Sequence, residues 1–139
     1  MGVEEQGWVA HFAVSALLGK PITIFGDGKQ VRDILYVDDL ISAYLLAVEK
    51  IGKAKGEVFN IGGGVENCLS LLEYINILEE KLRKKVKKSF SPWRPGDQKI
   101  FIADCAKVES VLGWKKRLPV QKGIDNLLYW IKHNRELFK

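Results

Sequence analysis

Cysteine and histidine are scarce in this chain of 139 residues, with two of each. Cys68 and Cys105 stand apart, without metal-ligand spacing, and two histidines cannot complete a zinc set, so composition argues against a structural metal. Two isolated thiols build no disulfide framework either, and they read as reduced cysteines of a cytoplasmic protein. Long apolar runs are also missing. The longest falls far short of the about 20 residues that cross a bilayer, and no signal peptide is evident. Internal repeats, low-complexity tracts and linkers are absent, which leaves one domain's worth of chain. What is present suits a buried core: 47% of residues are hydrophobic and 28% charged. The net charge of +5 comes mostly from one lysine-rich stretch. It permits a phosphorylated ligand or a nucleic acid and demands neither.

Residues 22–39 carry the most chemistry. Ile22-Thr23-Ile24-Phe25 is a β-prone run, and Gly26, Asp27 and Gly28 give the chain the freedom of a tight turn. A second extended run, Ile34–Val37, predicts a hairpin-like pair with Arg32 at the exit of the turn. A guanidinium placed there can fork onto two phosphate oxygens. The plainer alternative is an ordinary hairpin in which Arg32 pairs with Asp33 or Asp27, a contact worth little at a surface. The residues alone leave both open.

Trp8, Val9, Phe12, Ala13, Ala16 and Leu17 recur at helical spacing and predict a helix over 4–18, stopped by Gly19 and Pro21. His11 within it reads as a satisfied or exposed imidazole rather than a ligand. Asp38 or Asp39 is expected to cap a helix to about Lys50, with Leu40, Ala43, Tyr44, Ala47 and Val48 on one apolar face. Glu57–Ile61 reads as a short strand that ends in Gly62-Gly63-Gly64. No Gly-Lys-Ser/Thr follows, and the spacing is not Gly-x-Gly-x-x-Gly. The glycines therefore mark backbone passing close to something, not a phosphate loop.

Ser70 and Glu73 form a capping box for a helix reaching about Leu82. The basic run 81–88 reads either as a site for an anionic polymer or as a helix end followed by a lysine-protected edge strand. No aromatic residues interleave with its lysines to stack on bases, which favours the second. In Ser91–Asp97, Pro95 and Gly96 bend the chain and hold Arg94 and Asp97 on one side, suited to a phosphate and a ribose hydroxyl. A strand over 100–103 and a helix over 104–112 follow, the latter stopped by Gly113. A last helix turns Ile124, Leu127, Leu128 and Ile131 inward. Strand and helix alternate, which argues the α/β class.

Five segments stand in register: Gly-Asp-Gly-x-x-Val-Arg-Asp-x-x-x-Val-Asp-Asp (26–39), Phe-Asn-Ile-Gly-Gly (59–63), Arg-Pro-Gly-Asp (94–97), Ala-Asp-x-x-Lys (103–107) and Leu-Gly-Trp (112–114). Together they resemble the C-terminal portion of an extended short-chain dehydrogenase/reductase of the nucleotide-sugar epimerase and dehydratase family, over nearly the whole chain. Within that family the chain is most similar to the CDP-tyvelose (CDP-paratose) 2-epimerases, through Glu4–Val9, Gly28–Asp33, Asn67 with Leu69–Glu73, and Asp97-Gln98 leading into Phe101–Asp104.

The resemblance implies the last strand and helices of a Rossmann-like sheet plus a small mixed α/β substrate-binding domain. These would form a single unit over 1–139, with residues about 38–82 packing as the end of the NAD-binding domain and its N-terminal dinucleotide-binding part absent. It also implies the nucleotide-sugar binding portion of an NAD-dependent 2-epimerase, which interconverts CDP-paratose and CDP-tyvelose by transient oxidation. On that basis Arg32 and Arg94 contact the diphosphate and Asp97 the ribose. Thr23 and Phe25 flank the pyrimidine, and Gln6, Trp8 and Gln30 neighbour the sugar or base.

The same resemblance marks what the chain lacks. No Gly-x-x-Gly-x-x-Gly follows a strand, and none of Tyr36, Tyr44, Tyr74 and Tyr129 has a lysine four residues on. In the family that tyrosine is the acid/base, while the lysine lowers its pKa and touches the cofactor ribose. No catalytic or cofactor-binding residue is therefore expected here, and NAD is expected only in a complete enzyme. The expected partners are the nucleotide sugar, an N-terminal NAD-binding chain, and further copies in a homo-oligomer or hetero-complex, with neither nucleic acid nor membrane. Uncovered apolar faces on the helices at 39–50 and 70–82, and open edges at 57–61, would make the chain self-associate. The competing readings are a fragment of another nucleotide-sugar 4-epimerase or dehydratase, a small basic nucleic-acid-binding module on 81–88, and a scaffold without a ligand.

Overall fold

The computed structural model describes residues 7–138, and the order of elements bears out an α/β chain. They run α1 (Trp8–Leu18), β1 (Ile22–Phe25), β2 (Val31–Asp33), α2 (Val37–Glu49), α3 (Ile51–Ala54), β3 (Cys68–Ser70), α4 (Leu71–Leu82), β4 (Lys88–Ser91), β5 (Ile100–Phe101), α5 (Ala106–Leu112) and α6 (Val120–His133). Their contacts divide them into two units. The first holds the chain up to Gln30, Ser70–Lys99 and everything from Ile124 onward; the second holds Val31–Leu69 and Ile100–Gly123. No helix among the described residues is long and apolar enough to cross a membrane.

In the first unit the helical spacing read from the sequence becomes the packing of α1 on α4. α1 ends at Gly19, whose φ of +74° is the left-handed cap that glycine adopts without strain. α4 starts with the expected capping box: Ser70 Oγ accepts from Glu73 N–H at 3.2 Å, and the Glu73 carboxylate accepts from Ser70 N–H at 2.7 Å. Phe12, Ala13, Ala16 and Leu17 are buried from α1, and Leu71, Tyr74, Ile75 and Leu78 from α4. Tyr74 donates its hydroxyl to Val9 O at 2.9 Å, and burial raises its pKa. The apolar face of α4 is thus covered within its own unit, contrary to the expectation that it would lie open. Of the inward face read for α6, Ile124, Leu128 and Ile131 are buried and Leu127 is half-buried.

The basic run 81–88 closes α4 and leads into β4. Lys81 pairs with Asp125 at 2.6 Å, Lys84 donates to Leu17 O, and Lys85 and Lys88 flank Glu79 at 2.8 and 3.7 Å. Its hydrogen bond with Lys85 and that from Val86 N–H hold the Glu79 carboxyl down at about 2. A carboxylate with a depressed pKa contributes fully above its ordinary range near 4.3 and loses that contribution as pH falls toward about 2. Thermal melts of the wild type and Glu79→Gln should accordingly differ at neutral pH and converge between pH about 4 and 2. An unchanging difference across that window would refute the assignment.

The second unit is organised by Trp114, 3% exposed, with Ala43, Val108 and Leu112 packed about it. Its indole N–H donates to Asp39 O and Ser42 Oγ, both at 3.0 Å. β3, β2 and β5 form a small sheet in that order, with Val31 opposite Ile100 and Arg32 opposite Phe101 in a parallel pair.

Several local expectations change. β1 and β2 form no hairpin, since each pairs in parallel with a strand distant in sequence. Turn residues announce a turn but do not name the partner of either flanking strand. The second extended run is Val31–Asp33 rather than 34–37, and Val37 already belongs to α2. Neither Asp38 nor Asp39 caps α2; its N-cap is Tyr36, without a side-chain bond. Asp39 is instead buried, accepting from Arg117 and Leu118 N–H at 3.0–3.1 Å. The long-range bonds bring two otherwise unmatched donors to one carboxylate, and this outweighs a local cap.

Residues 57–61 form no strand, because no neighbour supplies a ladder among the described residues. Their alternation survives: Phe59 and Ile61 pack on the core while Val58 is 80% exposed. β5 stops at Phe101, and α5 begins only at Ala106, whose N–H donates to Asp104 Oδ1.

Candidate functional site

In the first unit, β1 and β4 run parallel with Phe25 opposite Ser91, so both chains leave the sheet at the same end. Ligand sites in parallel sheets gather beyond the carboxyl ends of the strands, where the loops diverge. Two glycine-bearing loops meet there. Gly26 N–H donates to Ser91 O at 2.9 Å, and a Cβ on Gly26 would strike the Trp93 indole. Only glycine at that position, with φ +89°, admits Trp93.

Seating Trp93 sets the next residue. The Arg94 guanidinium lies over the Phe25 ring, 3.7 Å from its centroid. That stack fixes a planar cation on an aromatic face. Pro95 and Gly96 then turn the chain, Gly96 at φ +82° and Asp97 N–H donating to Arg94 O at 3.2 Å, the bend read from the sequence. Asp97 is exposed beyond it. Behind Phe25, Gln30 is 5% exposed and donates Nε2–H to Phe25 O at 2.7 Å. Thr23 and Phe25 share the half-buried face of β1, whereas Ile22 and Ile24 are fully buried on the other.

The first unit therefore holds Thr23, Phe25, Gln30, Arg94 and Asp97, and brings Gln30 and Arg94 each into contact with Phe25. Arg32 belongs to the second unit, where Nη1 donates to Val31 O at 2.8 Å. Asp33 is taken up by Gly64 and Ala103 N–H at 3.2 and 3.1 Å, and Asp27 by Lys29 N–H at 2.9 Å. Asp27 thus serves its own turn and Asp33 two backbone amides remote in sequence, so neither takes the pairing with Arg32 that the hairpin alternative held open. Trp8 packs edge-on against Phe12 and Tyr74, at 5.7 and 5.3 Å, as part of the core. Gln6 lies outside the described residues.

Trp93 was legible only as a neighbour of the Arg-Pro-Gly-Asp segment; its role in seating Arg94 depends on Gly26, far away in sequence. The second unit also has a cleft of about 410 Å³, bordered by Glu66, Ala103, Asp104, Cys105 and Lys116. None of the expected site residues lines it. Gly62 and Gly63 pass close to the rest of the chain: a Cβ on Gly62 would meet the Asp33 carboxylate and Ala103, and one on Gly63 would meet Ile34 O. The close approach expected there is real, but its partners are the protein's own backbone and side chains.

Comparison with known proteins bears on the fold and the family. Residues 6–127 match the family model described as GDP-mannose 4,6 dehydratase. The CDP-paratose 2-epimerase of Salmonella typhi is 37% identical over 131 residues, covering 91% of this chain and 39% of that protein. The UDP-glucuronate 4-epimerase of Thermodesulfobacterium geofontis is 36% identical over 86% of this chain and 36% of its own length. Among solved structures, the Bacillus cereus UDP-glucuronic acid 4-epimerase in complex with UDP-glucuronic acid and NAD superposes with a TM-score of 0.83 at 34% identity, over 92% of this chain and 40% of that one. The chain spans about two fifths of the length of these relatives.

Proposed function

Since the chain belongs to the GDP-mannose 4,6 dehydratase family of extended short-chain dehydrogenases/reductases, we propose that it binds the nucleoside diphosphate of a nucleotide sugar. A CDP-sugar is the first choice, as part of an NAD-dependent 2-epimerase that interconverts CDP-paratose and CDP-tyvelose. The observation that carries the reading is the Arg94 guanidinium held 3.7 Å over Phe25 at the carboxyl ends of two parallel strands. A fixed planar cation beside a diphosphate gains charge-assisted, two-pronged hydrogen bonds. Asp97, exposed at the end of the same turn, takes a ribose hydroxyl; Thr23 and Phe25 lie beside the base; Gln30 holds Phe25 by its carbonyl. Arg32 is assigned a phosphate contact by the family resemblance alone.

No hydride or proton step is assigned to this chain's residues. Its glycine loop is filled by its own atoms, and its tyrosines lack the paired lysine. The chain's share of the reaction is binding and orienting substrate, with NAD held by a companion domain. The relative at 36% identity acts on a UDP-sugar, which makes UDP the second ligand to test.

Calorimetric titration with CDP, UDP and NAD, repeated on Arg94→Ala, checks the reading. CDP should bind and NAD should not, and the variant should lose about tenfold or more in CDP affinity, the worth of a charge-assisted pair. A folded chain indifferent to both nucleoside diphosphates would overturn the proposal. Binding of NAD would overturn the division of labour.

A further inference from the structure

In a parallel pair, facing residues stand on the same side of the sheet, so Ser89 shares a face with Thr23 and Ser91 shares it with Phe25. Ile22 and Ile24 occupy the opposite, fully buried face of β1. Neighbouring strands lie about 4.8 Å apart and alternate residues about 6.6 Å apart. The four positions therefore mark a rectangle comparable with one pyrimidine and its exocyclic groups. Phe25 is one corner, already carrying Arg94. The other three corners end in hydroxyls.

Among the described residues the hydroxyls of Thr23, Ser89 and Ser91 have no hydrogen-bond partner. Ser89 is exposed and Ser91 half-buried, so both remain open to a ligand. A hydroxyl donates and accepts, and can rotate to meet either kind of group on a base edge.

Resting on the nucleotide reading above, we infer that Ser89 and Ser91 are base-binding residues of that site, their hydroxyls hydrogen-bonding the polar edge of a pyrimidine. Neither position stands out in the sequence, where Ser89 and Ser91 look like solvent-facing residues between lysines and a proline. Parallel pairing with β1 places them beside Phe25. The division of labour is spatial: Arg94 faces charge, the serines face the ring.

Ser89→Ala, Ser91→Ala and the double variant, titrated with CDP and with inorganic pyrophosphate, test this. Each single change should weaken CDP about fivefold, the worth of one hydrogen bond, and the double change more, with pyrophosphate binding unmoved. Ser91→Thr keeps a hydroxyl on the β-branched side chain that strands accept, and should restore CDP affinity. Unchanged CDP binding in a folded double variant overturns the inference and leaves the nucleotide reading standing. Equal loss of CDP and pyrophosphate, or no recovery in Ser91→Thr, also overturns it, because that is the signature of a disturbed strand. A wild-type chain that binds neither CDP nor UDP removes the nucleotide reading and this inference together.

Discussion

Replacing Asp39 by alanine should destabilise the second unit by about 2–3 kcal/mol, the cost of taking a carboxylate acceptor from two part-buried N–H donors. Asp39 is 4% exposed, and its oxygens accept from Arg117 and Leu118 N–H at 3.0–3.1 Å. Those bonds tie the segment after α5 to the first turn of α2, directly beneath the Trp114 indole that bonds Asp39 O. Alanine keeps the helix and the backbone carbonyl but removes the acceptor of both donors. In a unit of this size such a loss is a large fraction of the stability margin. Asn keeps one acceptor oxygen and should lose less, about 1–2 kcal/mol.

Urea melts would measure the difference, and hydrogen exchange at the Arg117 and Leu118 amides would localise it. Fast exchange at those two amides in Asp39→Ala, with the first unit's amides still protected, is the expected pattern. Protection equal to wild type would show that Asp39 holds nothing.

The second large effect concerns association. α2 turns Ala43 and Asp39 into the core of its unit, yet Ile41, Tyr44, Leu45 and Val48 are 47–71% exposed, and Val37 and Ile51 at its two ends are 54% and 60% exposed. The face read from the sequence as one stripe is split: Ala43 and Ala47 pack inward, while Tyr44 and Val48 point out. Burying one such side chain is worth about 1.5–3 kcal/mol, so an exposed run of them favours association. Wild-type chain should therefore self-associate in sedimentation velocity as concentration rises. Ile41→Lys combined with Leu45→Glu and Val48→Lys should return it to the monomer with its helix content intact, because the introduced residues are good helix formers. A wild type that stays monomeric at high concentration would count against the stripe as a sticky surface. The corresponding expectation for α4 has already fallen, since α1 covers that helix.

Local chemistry settled what the sequence could settle unaided. The capping box at Ser70 and Glu73, the glycine stops of α1 and α5, the Pro95-Gly96 bend and the close passage of Gly62 and Gly63 each depend on neighbours within a few residues or on the absence of a Cβ. All were legible before any coordinates. The family was legible too, because its segments are spread along the chain in fixed order.

Tertiary structure decided the rest, and in each case the reason is a partner remote in sequence. Strand pairing was one such decision. Ile22–Phe25 has the same β-prone pattern whether it meets Ile34 or Lys88–Ser91, and only the packed chain chose the latter. Asp39 could cap a helix or receive Arg117 and Leu118, and its buried carboxylate took the two remote N–H groups because two charge-assisted bonds outweigh one cap. Residues 57–61 kept a strand's alternation without becoming one, since a strand exists only with a neighbour to complete its ladder. Arg94 was named from the sequence as a phosphate ligand, but its seat on Phe25, behind Trp93 and Gly26, comes from two loops brought together by parallel strands. Residue types gave the chemistry; the long-range register gave that chemistry a place.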